Sequence, residues 1–98
     1  MKAALPRSVA PKWPINRFAI SATTTITQLI PENVRRREVI ICNTSVAVLF
    51  LGVGSRPSST FYTVALPCGG VFVSATQNAI NGVWASAAGG QANITEEA

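Results

Sequence analysis

The sequence predicts an all-β fold, a small antiparallel β-sandwich or jelly roll preceded by an extended N-terminal arm, and three observations carry the prediction. From Thr23 onward, about seven short runs rich in β-branched or aromatic residues alternate with Gly, Pro, Asn and Ser turn signals. No segment shows the i, i+3, i+4, i+7 recurrence of apolar residues that marks an amphipathic helix. With 98 residues, there is room for one domain.

Residues 1–22 contain Pro6, Pro11 and Pro14 and follow neither the helical nor the strand period, so they read as an extended arm, with residues 23–98 as the sandwich domain. The arm carries Leu5, Val9, Trp13, Ile15, Phe18 and Ile20, too many apolar anchors for a linker. Such a segment is expected to become ordered by lying on another surface. It also carries Lys2, Arg7, Lys12 and Arg17 and no acid. The candidate docking residues are therefore Lys2, Leu5, Arg7, Lys12, Trp13, Ile15, Arg17 and Phe18. Trp13 is the expected main anchor, since a rigid indole in a partner pocket can dominate contact energy; the alternative is an indole folded back on its own domain.

Ser21 to Ile30 alternates threonines with Ile26 and stops at Pro31, which suits a strand at a sheet edge. Pro31-Glu32-Asn33 reads as a turn or a single helical turn leading to Arg35-Arg36-Arg37 beside Glu38, a solvated strand entrance or surface salt bridge, with an acidic partner as the alternative. The central stretch Arg37 to Gly54 reads as a hairpin, with runs Val39–Cys42 and Val46–Val53 flanking the polar step Asn43-Thr44-Ser45. In the second run both faces are apolar, which implies cover on both sides, from a second sheet and from another element or another chain. Leu49, Leu51 and Val53 are the candidates for a face covered by another copy.

Gly52 to Thr60 is a loop with Arg56 at its tip, and Phe61 to Leu66 is a strand. Pro67-Cys68-Gly69-Gly70 is a turn returning into Val71 to Ala75. Gln77-Asn78 and Asn81-Gly82 are further turn signals. Val83 to Ala87, the Gly89-Gly90 step and a short strand Ala92 to Thr95 complete the chain. The expected core is Ile26, Val39, Ile41, Val48, Phe50, Val64, Leu66, Val71, Val73, Val83 and Trp84.

Composition bounds the function. Charged residues make up 12% of the chain, about half the roughly 25% of ordinary soluble domains, while 48% is apolar. Little of the surface is built for solvent alone. A membrane span is not expected, because no apolar run approaches the ~18 residues that one needs. The start of the chain lacks the apolar core of a signal peptide, so synthesis in the cytosol and reduced Cys42 and Cys68 are expected.

Catalysis is not expected either. The chain has no His or Asp, and its four acidic side chains, Glu32, Glu38, Glu96 and Glu97, sit at turns, beside arginines or at the tail. Without His, the two cysteines cannot complete a four-ligand metal set, and Gly52-Val53-Gly54 lacks the spacing of a nucleotide loop. No cofactor, metal or small-molecule substrate is expected. The net charge of +4 admits a nucleic-acid binder, but the basic segments lack interleaved aromatic platforms, and an acidic protein surface is the favoured partner.

The segments RREVIICNTSVAVLFLGVGS, YTVALPCGGVFV and NGVWASAAGGQANITE, spanning roughly Arg36 to Glu97, resemble a group of small virion proteins of tailed bacteriophages. The resemblance rests on the strand and turn ending in Asn43-Thr44-Ser45, the Pro-x-Gly-Gly turn and the Gly-rich ending before an acidic terminus. Cys68 departs from the turn pattern, and the basic arm lies outside the match. The resemblance implies a sandwich or jelly roll used as a capsid decoration, or cement, module. On that expectation the protein lies on the virion surface as a homodimer or homotrimer bound to the major capsid protein. The alternative is a tail, baseplate or fibre module for host adhesion through loops Ser55 to Thr60 and Gln77 to Gly82.

Overall fold

The computed structural model describes residues 14–98. They form β1 (Ile15–Ser21), β2 (Thr27–Ile30), β3 (Glu38–Asn43), β4 (Leu49–Val53), β5 (Val64–Leu66), β6 (Val71–Ser74), β7 (Ile80–Trp84) and β8 (Gln91–Glu97). Two four-stranded antiparallel sheets result, one in the order β1-β8-β3-β6 and the other in the order β2-β7-β4-β5. The pairings β1 with β8, β2 with β7, β3 with β6 and β4 with β5 are nested. The chain is thus one long hairpin, tipped at the β4–β5 loop, wound so that the first sheet takes half of its strands and the second sheet the rest. That is an eight-stranded jelly roll.

Burial alternates along the central strands, as in Val39-Ile40-Ile41 and Ile80-Asn81-Gly82-Val83-Trp84, and puts one face of each sheet inward. Val39 and Ile41 from β3 and Ala92 and Ile94 from β8 meet Leu49, Leu51, Leu66, Ile80 and Trp84 across the sandwich. Leu49 and Leu51 are therefore core residues with no exposed surface, and Val53 packs against the same core. Leu49 and Leu51 cannot belong to an oligomer face. The predicted core residues Val71 and Val73 are also displaced: β6 turns Phe72 inward, so its two valines face out and are more than half exposed.

Two local readings change. The stretch read as a central hairpin is an arch, with β3 in one sheet and β4 in the other. Its turn chemistry is that of a hairpin, but β3 completes its ladders with β6 and β8, and β4 with β5 and β7. Pro67 to Gly70 likewise passes between sheets. The second change concerns the arm. Residues 15–21, assigned to it from sequence, are β1, paired with β8 from Ile15↔Glu97 to Ser21↔Gln91. Phe18 and Ile20 share the inward face with Ile94 and Ala92, and that apolar contact recruits the segment to the sheet. The predicted edge strand is found at an edge, shortened to Thr27–Ile30.

The doubly apolar β4 has its second cover within the chain. Phe50 pairs with Val83 on the outer face of its sheet. The β4–β5 loop folds over that face, burying Pro57 and placing the Tyr62 ring 5.2 Å from Phe50. Gly52 permits the approach, since a Cβ there would lie 3.0 Å from Pro57 Cδ.

Four of the six sheet-to-sheet crossings, β1→β2, β3→β4, β5→β6 and β7→β8, gather at one end. Asn43 holds them. Its buried amide donates to the carbonyls of Ala47 and Leu66, each at 2.9 Å, and of Pro67 at 3.3 Å. Its Oδ1 accepts from Ser45 N–H at 3.0 Å and Trp84 Nε1 at 3.1 Å. One side chain so satisfies groups from two arches and β7. Close packing at this end also requires Gly90, at φ 81°, where a Cβ would fall 2.6 Å from Ser45 Cα.

Candidate partner-binding site

The opposite end is built from the β2–β3, β4–β5 and β6–β7 loops and from Pro14 and Ala98. Arg36 organises it. Its guanidinium is buried and donates from Nε to Glu96 Oε2 at 2.9 Å, from Nη1 to the carbonyls of Thr76 and Asn78 at 2.9 Å each, and from Nη2 to the Pro31 carbonyl. Glu96, on the inward face of β8, also accepts from Asn33 Nδ2 at 3.2 Å and Asn16 Nδ2 at 3.4 Å. A charge pair taken out of water is tolerated where its remaining hydrogen-bonding groups are met, and here they are.

The arginine triplet is thereby divided. Alternation in the turn sends Arg36 inward and leaves Arg35 and Arg37 exposed on either side of it. The Arg35 N–H is fixed by Asn33 Oδ1 at 2.9 Å, and the Arg37 N–H by the Glu97 carbonyl at 2.7 Å. With Val34, Pro14 and Ala98 these arginines border an open hollow of about 740 Å³. Ala98 N–H donates to the Pro14 carbonyl at 3.0 Å, which pins both ends of the described chain to this rim.

Of the predicted docking residues, Lys2, Leu5, Arg7, Lys12 and Trp13 lie outside the described residues. Ile15 and Arg17 project from the outer face of β1, and Phe18 lies at the open margin of the sandwich, 43% exposed. The described chain begins at Pro14, which lines the same hollow that Arg35 and Arg37 border. Exposed Val34 lines the same hollow, an apolar side chain that sequence reasoning missed because the neighbouring charges mask it.

The loops considered for adhesion also meet at this end, where Gly54 N–H donates to the Ala79 carbonyl at 2.7 Å and Asn81 Nδ2 to the Ser55 carbonyl at 2.8 Å. Ile80 and Gly82 are buried in β7 and not available as loop contacts. Among the described residues, no group of three or more His, Cys, Asp or Glu side chains is placed to hold a metal ion, and no helix is long and apolar enough to cross a membrane. Both cysteines are free thiols, Cys42 half-buried and Cys68 exposed. Comparison with family models, curated proteins and solved structures returned no match.

Proposed function

We propose that this protein is a capsid decoration protein that binds the outer surface of a bacteriophage head and stabilises the shell as an oligomer with docking arms. The observation that carries the reading is the position of Pro14, which follows the basic, apolar-studded residues 1–13 in sequence and lies on the hollow bordered by exposed Val34, Arg35 and Arg37. A surface of this kind suits an acidic, repeating protein lattice. Many copies, each held by arm and rim together, act multivalently, so that weak single contacts add to a clamp across neighbouring capsid subunits. The sequence resemblance to small phage virion proteins supports the same reading, as does a roll small enough to gain from a second buried face.

The test is shell binding by the full chain and by a variant lacking residues 1–13, a cut that leaves β1 whole. The full chain is expected to saturate purified heads lacking it at hundreds of copies per particle. The shortened chain is expected to keep its circular dichroism spectrum and lose binding. Saturation by the shortened chain would defeat the clamp. Recovery of only a few copies per virion, confined to tails, would favour the adhesion reading instead.

A further inference from the structure

The four edges of the two sheets are not equally guarded. β1 bears Arg17 and is entered from Pro14; β2 contains a register shift between Gln28 and Ile30 and ends at Pro31; β5 is three residues long and ends at Pro67. Charge, proline, irregularity and shortness are the devices that keep an edge strand from pairing with another chain. β6, four residues long, lacks the other three. It runs in even register along β3 and carries no charge or proline.

Its open side offers a complete set of main-chain groups. The Asn43 N–H donates to the Gly70 carbonyl at 3.0 Å, which sets the phase of the β3–β6 ladder. By the alternation of an antiparallel ladder, Phe72 and Ser74 direct their peptide groups to β3, and Val71 and Val73 direct theirs away. Two donors and two acceptors therefore face outward. The side chains of the same valines stand on the outer face of the sheet, 53% and 56% exposed, next to Ile40 and Cys42 of β3.

Electrostatics names the occupant. The protein carries a net charge of +4, and a partner of the same charge is repelled wherever basic faces meet. Between Arg56 and Glu96 there is no charged residue, so β5, β6, β7 and the turns joining them are neutral. Arg17 lies three strands from β6, roughly 14 Å at the usual strand spacing and beyond the Debye length of physiological salt. Glu38 is the one charged side chain on the outer face of β3 and β6. Exposed Arg37 lies beyond the Ser74 end of β6, so along the four residues of β6 itself two copies can approach without like-charge repulsion.

The geometry points to a two-fold homodimer in which β6 pairs antiparallel with β6 of a second copy. Val71 stands opposite Val73 of the second copy in both cross-strand pairs, and Phe72 meets its counterpart on the axis. Four main-chain hydrogen bonds form and the sheet becomes eight strands wide, with the valines, Ile40 and Cys42 of both copies making one apolar band.

This gives the oligomer of the proposed function its surface and rests on that reading only for the second copy's role on a shell. Light scattering on the full chain is expected to give twice the 10.3 kDa of one copy. Val71→Lys with Val73→Lys opposes like charges in both pairs and is expected to give monomer, whereas Val71→Lys with Val73→Glu opposes unlike charges and is expected to restore the dimer. Both sites are exposed in the single copy, and circular dichroism checks that each variant is folded. A second measurement needs no substitution: the Val71 and Val73 amides should gain at least tenfold protection from hydrogen exchange as the protein concentration rises. A monomeric wild type, a trimer, a dimer indifferent to the double lysine, or amides whose exchange ignores concentration would each overturn the seam. Shell binding by a protein that fails these tests would leave the decoration reading standing, and dimers that ignore shells would do the reverse.

Discussion

Replacing Asn43 by alanine should cost this protein a large share of its stability. Five hydrogen bonds converge on that amide, at 2.9 to 3.3 Å, and the side chain is wholly buried. Truncation strands two buried donors, Trp84 Nε1 and the Ser45 N–H, together with the carbonyls of Ala47 and Leu66. A buried group left unsatisfied costs about 1–3 kcal/mol, so the two donors alone give roughly 4 kcal/mol. A domain of this size is stable by about 5–15 kcal/mol in total, so the variant should sit near the limit of folding. In a thermal scan the same loss corresponds to a fall of roughly 15–30 °C. Urea unfolding followed by tryptophan fluorescence and by circular dichroism measures it. Asn43→Asp sharpens the test, because it keeps the shape and the acceptor but sets a carboxylate against three carbonyl oxygens. It should be no better tolerated than alanine at neutral pH. A loss below about 1 kcal/mol for Asn43→Ala, with an unchanged denaturant slope, would refute the claim that this side chain holds the arches together.

Three further outcomes follow from the same geometry. Arg36→Met leaves Glu96 buried with only amide donors and should cost about 3–5 kcal/mol, while Arg36→Met with Glu96→Met should cost less than the sum of the two single changes; a double-mutant cycle in urea reads the coupling. Because the pair is buried, that coupling should change little between low and high salt. Gly89 and Gly90 both have positive φ, but an added Cβ meets nothing within 4 Å at Gly89 and meets Ser45 Cα at Gly90. Gly89→Ala should therefore cost about 1–2 kcal/mol from backbone strain alone and Gly90→Ala clearly more, so equal losses in thermal melts would count against the close approach of the two loops.

Much of the strand inventory could be read from β-branched runs bounded by Gly, Pro and Asn, because those preferences act within a few residues. The edge position of β2 was legible for the same reason: Pro31 and the threonines announce it. The inward face was legible only where apolar and polar residues alternate. β6 reads Val-Phe-Val-Ser, so its phase depends on which residue β3 presents to it, and the two valines assigned to the core turned out to be the exposed pair. In the arginine triplet nothing local distinguishes Arg36 from its neighbours. Only the arrival of Glu96, sixty positions later, makes it the buried member.

By itself, then, the sequence determined an all-β class, a sparsely charged and apolar make-up without His or Asp, and a basic, proline-rich start. These are properties of composition and short-range conformational preference. Tertiary structure decided that Asn43-Thr44-Ser45 is an arch and not a hairpin, that β1 belongs to the roll, and which faces of β4 and β6 meet solvent. Each of these depends on strand partners distant in the chain, and a two-residue side-chain period on an all-apolar strand is the same whichever face is buried.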